Sequence, residues 1–449
     1  MMKVLQITCA VTLAGAMVAG NALAQGVVSQ PQSVAGSSFE HDYYAVAQDE
    51  AVSPSDAPVA ENGGGCASSC DNLDCCEHGV DCGEPWHLQR CRDNCWGIEW
   101  GGWLSAGISV NDEGVGGVNA NTSFGFNNVA EEFDLHQAWF YMEKAVDTGG
   151  CGFDWGFRAD FVYGVDGPDT QAFGDIDWDN SWDHSSNSRY GSALPQLYAE
   201  IGYNDLTVKV GHFFTVIGYE VVQAPDNFFF THEYTHIYGE PFTHTGAIGT
   251  YAVSDELSVM GGWTGGWDGG FNNADDGSTF LGGFSYAINE CTNFTYAVSA
   301  GDWGDGSVAN TGDIYMHSLV LTHDLRDDLH YIFHSDYGNN DLGATHTEWY
   351  GAAHYLIYDI NCCWALGARF EWFDDHDGAR VGGTVADDAG DYYAVTLGVN
   401  WKPHTNLIIR PEVRFDWFED DGLGAAFLPY INNTDDEMTT FNTDIIFLY

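Results

Sequence analysis

The chain has 449 residues, with 66 Asp and Glu against 13 Lys and Arg, for a formal charge of -53. Such an acidic surface excludes nucleic acid as a partner, since phosphate contacts need Lys and Arg. Aromatic residues at 15%, with only 18% charged, exclude a wholly disordered chain.

Lys3 lends positive charge to a short apolar run, Leu5 to Ala19, and Ala22-Leu23-Ala24 before Gln25 is a small-residue cleavage pattern. Residues 1–24 are therefore expected to be a cleaved export signal. The run is short for a membrane anchor, and Cys9 inside it has no lipobox context. Residues 25–65 are rich in Ser, Ala, Gln, Pro and Gly and end in Asn62-Gly63-Gly64-Gly65, a flexible segment. Residues 66–96 form a Cys-rich periplasmic segment. Beyond the signal, no stretch has 18 consecutive apolar residues, which excludes a helical membrane protein.

From about Trp96 to Tyr449 the chain reads as sixteen short strands whose connections alternate in length. Long connections fall near 111–130, 166–193, 215–242, 268–277, 302–312, 338–344, 376–390 and 419–437. Short ones fall near 146–151, 204–205, 254–255, 288–291, 324–327, 359–362 and 402–405. A sandwich has no reason to sort its loops by parity. A transmembrane barrel does, because tight turns face the periplasm and long loops face outward. The fold expected over 97–449 is an all-β, transmembrane antiparallel β-barrel of about 16 strands.

Strand periodicity supports this. In 406–418, Leu407, Ile409, Pro411, Val413, Phe415 and Trp417 alternate with Ile408, Arg410, Glu412, Arg414 and Asp416. Residues 153–163 set Phe153, Trp155, Phe157 and Phe161 against Asp154, Arg158 and Asp160, and 364–372 set Trp364, Leu366, Phe370 and Trp372 against Arg369 and Glu371. In a barrel of this size the charged parity faces inward and the aromatic parity faces lipid. Segments 97–110, 207–214 and 313–323 carry Gly or His that interrupts the alternation. The last strand, Met438 to Tyr449, ends on an aromatic residue with Phe441, Ile445 and Phe447 on its own parity.

The eleven cysteines after the signal are Cys66, Cys70, Cys75, Cys76, Cys82, Cys91, Cys95, Cys151, Cys291, Cys362 and Cys363. The last four fall in short turns, the side that would also hold the Cys-rich segment. An exported chain meets an oxidising compartment, so all eleven are disulfide candidates, and an odd count leaves at least one unpaired or paired between chains. A zinc site from Cys66, Cys70 and His78 is the rival reading.

The third long connection, Thr215 to Phe242, is rich in apolar and aromatic residues, which would not stay in water. Two fates are open to it: folding into the lumen to narrow a pore, or packing at a trimer interface. On the first, Glu220, Asp226, Glu233 and Glu240 form the pore constriction. Arg158, Asp160, Lys209, Arg369, Glu371, Arg410, Glu412, Arg414 and Asp416 fall on inward parity and line the pore. They either set a transverse field across it or pair with one another along the wall. His232, His236 and His244, with Glu233, lack the spacing of a helical metal motif, so no metal is expected. Asp175, Asp177 and Asp179 lack the Gly and closing Glu of a calcium loop. No cofactor fingerprint or nucleophile elbow occurs in a credible context.

Gly150 to Gly167 (GCGFDWGFRADFVYGVDG), Lys209 to Thr235 (KVGHFFTVIGYEVVQAPDNFFFTHEYT) and Pro241 to Val259 resemble the beta-barrel porin family 2 (OmpL-like), common in planctomycetes. The resemblance implies an outer-membrane pore over about 100–449 and leaves the solute open. The function expected is passive diffusion of ions and small polar solutes through a water-filled barrel, with no enzymatic activity. The partners expected are outer-membrane lipid and those solutes, with a homotrimer as an open assembly. A secreted β-rich carbohydrate-binding protein, or an outer-membrane structural protein or enzyme, would be the alternative.

Overall fold

The computed structural model describes residues 86–449 except 90–95, 118–119, 122–123, 173–177, 180–181, 183–188, 274–275, 305–311, 342–345, 382–388 and 421–427. All of these belong to one compact unit, Ala35–Tyr449. The expectations for residues 1–65, for Cys66, Cys70, Cys75, Cys76, Cys82, Cys91 and Cys95, and for Asp175 and Asp177 lie outside the described residues.

Sixteen strands follow in chain order. The first eight are β1 (Glu99–Asn111), β2 (Phe133–Lys144), β3 (Phe153–Gly164), β4 (Gly191–Tyr203), β5 (Leu206–Phe214), β6 (Thr243–Ala252), β7 (Leu257–Thr264) and β8 (Ser278–Asn289). The others are β9 (Thr292–Asp302), β10 (Asp313–Arg326), β11 (Leu329–Asp341), β12 (His346–Asn361), β13 (Trp364–Asp375), β14 (Gly390–His404), β15 (Leu407–Asp420) and β16 (Glu437–Leu448). Each pairs antiparallel with its sequence neighbours, and β16 returns to β1, so the sheet closes. The seam runs from Trp103 opposite Leu448 to Asn111 opposite Thr440. Tyr449 adds backbone bonds to Gly102 in both directions, and its hydroxyl donates to the Trp139 carbonyl at 2.7 Å. Among the described residues, no helix is long and apolar enough to cross a membrane.

The two parities separate as the alternation requires. On β15, Ile408, Arg410, Glu412, Arg414 and Asp416 are buried, whereas Phe415 on the other parity is 42% exposed. Phe153, Trp155, Phe161, Tyr163, Trp364, Leu366, Phe370, Phe441, Ile445 and Phe447 likewise sit on the outer surface. A wall whose outer face is apolar and whose inner face carries the charges suits lipid outside. His212 shares the outward parity of Val210 yet is fully buried: Trp178 and Phe271 from the second and fourth long connections cover it, and Thr245 bonds its Nδ1 at 2.7 Å.

Strand ends coincide with the expected connections at 204–205 and 215–242, and elsewhere shift by a few residues. The Gly- and His-interrupted segments are β1, β5 and β10. The largest shift of a boundary is at 338–344, where β11 continues to Asp341. Asn and Asp at a barrel's rim read as loop in sequence, but the ladder with β10 runs through Asn339, Asn340 and Asp341. In the two-residue turn between β4 and β5, Asn204 has φ 54°, a left-handed conformation that Asn tolerates.

The described cysteines share one rim. Cys151 lies between β2 and β3 as an exposed thiol, Cys291 between β8 and β9, and Cys362 and Cys363 between β12 and β13. The segment entering the barrel reaches the same rim: Trp86 N–H donates to Asn406 Oδ1 at 2.8 Å, Asn406 Nδ2 returns a bond to Trp86 O at 2.7 Å, and Trp86 stacks on Phe447. We propose that Cys291 and Cys362 form disulfides. Their turns are four strand spacings apart, roughly 19 Å, beyond the span of one disulfide. Peptide mapping of unreduced protein is therefore expected to join each to a different cysteine, from within 66–95. A direct Cys291–Cys362 link would overturn this.

Candidate functional site: the third loop and the wall it docks on

Loop 3, residues 215–242, leaves the wall at β5 and returns at β6. In a sixteen-stranded ring the strands opposite are β13 and β14, and the loop's bonds fall on that side. They reach β11, β12, β13 and β15, and also β2, so the loop crosses the lumen. Its apolar content explains the placement: Ile217, Val222, Phe228, Phe229, Phe230 and Tyr234 are all buried. A short 3-10 turn (Ala224–Asp226) and a π-helical turn (Thr235–Gly239) shape its course.

Three wall arginines hold it. Arg410 donates from Nη1 to the carbonyls of Ala224 (2.8 Å), Asn227 (2.6 Å) and Phe229 (3.1 Å), while Nε and Nη2 fork onto Asp444 at 2.8 and 2.7 Å. Arg369 donates to Glu220 Oε1 at 2.6 Å and to the Thr231 carbonyl at 2.7 Å, with Glu371 2.8 Å from its Nε. Arg414 donates to the His232 carbonyl at 2.6 Å and to Asp416 at 2.9 Å. Wall carboxylates take the complementary part. Glu412 accepts from the N–H groups of Phe230 (2.8 Å) and Thr231 (3.1 Å), and Glu371 from that of Tyr234 (2.8 Å). Asp416 accepts from the Tyr234 hydroxyl at 2.8 Å. The loop's peptide groups, which would otherwise be stranded inside the barrel, are thus satisfied by charged side chains.

The four acidic loop residues separate in environment. Glu220 is buried, and besides Arg369 it accepts from the Tyr355 hydroxyl (2.9 Å) and the Glu233 N–H (2.9 Å) and pairs with His232 (3.1 Å). Glu233 is fully buried between His334 Nδ1 (2.5 Å) and the Tyr355 hydroxyl (2.9 Å). Glu240 is buried beside His236 Nδ1 (3.3 Å), and Asp226 is half-buried. The wall charges at 369–371 and 410–416, expected to face lumen water, face loop 3 instead, because the apolar loop lies across them. Arg158 and Lys209 are only half-buried: Arg158 pairs with Asp160 (2.8 Å) and Glu143 (3.1 Å), and the Lys209 ammonium lies 4.4 Å from the Tyr198 ring centre. The structure does not gather His232, His236 and His244 round one point, since His244 bonds Thr215 Oγ1 and the Gly266 carbonyl. Asp179 caps the backbone N–H groups of Ala172 and Leu194. Asp268, where loop 3 rejoins the wall, has its carboxyl pushed up to about 6 by burial, against bonds from Phe242 and Thr243.

Wall glycines give the loop's aromatic rings their seats, which the alternation does not signal. A Cβ on Gly367 would meet the Phe228 ring at 2.2 Å, and one on Gly107 the Phe230 ring at 2.7 Å. Gly367→Val is expected to expel Phe228 and lower the urea midpoint of the detergent-solubilised protein by the equivalent of about 1–3 kcal/mol, the cost of overpacking. An unchanged midpoint would show that the ring is not seated there. A small cavity of about 10 Å³ remains between loop 3 and the β1–β2 wall, lined by Ser105, Asn127, His136, Gln137, Asp166 and Arg410 among others.

The family model described as Putative beta-barrel porin-2, OmpL-like, matches residues 97–449. The chain belongs to this porin family. Porins of this kind are channels of the outer membrane rather than enzymes, and the closed sixteen-strand wall agrees. Among solved structures, the outer membrane channel DcaP of Acinetobacter baumannii superposes with a TM-score of 0.51 at 8% identity, covering 78% of this chain and 97% of that one. An anion-selective porin from Comamonas acidovorans gives 0.49 at 10% identity, covering 78% and 99%. At such identity the first likeness speaks for the fold alone. No curated protein matches the chain.

Proposed function

We propose that this porin-family barrel passes ions and small polar solutes by passive diffusion, and that loop 3 sets its narrowest point. The observation that carries the reading is the crossing of the lumen by loop 3, clamped on the far wall by Arg369, Arg410 and Arg414. No bond is made or broken; selection follows from width and charge. A leader at 1–24 would bring the chain to the periplasm, residues 66–96 would remain there, and outer-membrane lipid would surround the barrel.

Charge decides the sign of selectivity. The wall arginines are each answered by carboxylates, so they leave no local positive excess, whereas the whole chain carries -53. Exposed charges are screened over about 10 Å at 0.1 M salt. In planar bilayers with a salt gradient, the reversal potential is expected to show weak to moderate cation preference that grows as salt falls. The double variant E220Q/D226N should move it toward anions. An anion-selective wild type would reject this charge reading, and absence of conductance would reject the pore.

A further inference from the structure

We propose that Glu233, Glu240 and His334 bind one divalent transition-metal cation of the Zn2+ or Mn2+ class, which pins the far end of loop 3 to β11. One ligand atom from each lies within 4.8 Å of the other two, and all three residues are buried. Zn–O and Zn–N bonds of about 2.0–2.2 Å would draw these atoms closer by roughly an ångström, within the reach of side-chain rotation.

Three further observations point to a cation rather than to a bare acidic cluster. First, the buried arginines of this wall are committed elsewhere: Arg369 to Glu220 and Glu371, Arg410 to Asp444, and Arg414 to Asp416 and Glu371. Among the described residues, the ion-pair partners of Glu233, Glu240 and Asp336 are histidines alone. Second, Glu240 Oε2 is buried without a hydrogen-bond partner in a residue 4% exposed, and so are Asp336 Oδ2 and His236 Nε2. Buried carboxylate oxygens are rarely left so, because the desolvation cost goes unanswered. Third, His334 is already oriented. Its Nε2 faces Asp336 Oδ1 at 2.9 Å and Ser318 Oγ at 3.2 Å, which leaves Nδ1 turned to Glu233. A ligating histidine held through its other nitrogen by a carboxylate is the usual outer-shell arrangement of such metals.

Two carboxylates and one imidazole favour a borderline cation over calcium, which takes oxygen ligands only. Loading replaces the proton shared between His334 Nδ1 and Glu233 Oε1, and any proton on the Glu240 carboxyl, so protons leave to solvent as the cation enters. The site depends on where loop 3 sits and not on conduction, so it can fail while the pore reading stands, and the reverse.

The test uses the untagged full-length protein in detergent, stripped with EDTA and titrated with Zn2+ alone, then Mn2+ alone and Ca2+ alone, by chelator competition. The Cys-rich segment can itself take Zn2+, so the equivalent of interest is the difference between wild type and E240Q. The expected result is one equivalent lost in E240Q and in H334A, with affinity lower by about 100-fold, and about 10–100-fold weaker binding in D336N. H346A, an exposed histidine of β12, should bind like wild type. Equal Zn2+ binding by wild type, E240Q and H334A overturns the site, as does Ca2+ binding tighter than Zn2+. Should those variants fail to fold, the wild type titrated with Mn2+ after its thiols are reduced and alkylated decides: one equivalent bound, and weakened in D336N, supports the site, and none overturns it.

Discussion

Excising residues 218–239 and joining the ends should raise single-channel conductance several-fold. The barrel is expected to survive the cut. Thr215 N–H already donates to the Phe242 carbonyl at 2.9 Å, so the ends of loop 3 are held together by the β5–β6 ladder. Arg369, Arg410, Arg414, Glu371 and Glu412 would lose their loop partners, but an emptied lumen fills with water, which hydrates them. A charge that regains water does not carry the penalty of one stranded in a dry interior. The checks are conductance in planar bilayers and the shift between boiled and unboiled samples in detergent gels. A variant that keeps the shift but conducts no better than wild type would show that loop 3 does not limit passage.

Arg410→Ala should destabilise the folded barrel by about 3–5 kcal/mol, the usual cost of breaking a buried pair from one side. Here the loop stays in place and Asp444 stays buried. Asp444 is left buried without its forked partner, and the carbonyls of Ala224, Asn227 and Phe229 lose a common donor. Adding D444N should recover part of the loss by removing the stranded charge. Arg158→Ala is the comparison: Arg158 holds no loop carbonyl, Asp160 is buried but keeps its bond from Trp139 Nε1 at 2.9 Å, and Glu143 is partly exposed, so a smaller loss of about 1–3 kcal/mol is expected. Urea midpoints of the solubilised proteins separate the two. Equal, small effects would mean that Arg410 does not hold the loop.

Much of this architecture is local information. Alternation at period two on segments such as 406–418 states which residues share a face, and length parity of the connections states which rim each turn occupies. Neither needs a partner in space, so strand number, inward parity and closure by an aromatic C-terminal strand were legible in the amino-acid sequence. The departure of Thr215 to Phe242 from water was legible too, since composition alone forbids its exposure.

What that loop docks on was not legible. Arg410 meets carbonyls more than 180 positions away, and a carbonyl belongs to every residue, so no side-chain pattern marks the acceptor. Glu233 and His334 are 101 positions apart, and Tyr355 lies 122 from Glu233. Gly367 and Gly107 look like interruptions of a strand until the rings of Phe228 and Phe230 occupy the space above them. Periodicity fixes a face but not a distance across the lumen. Closure at sixteen strands sets β5 and β6 opposite β13 and β14, and that ring geometry alone decided which charges the loop would meet.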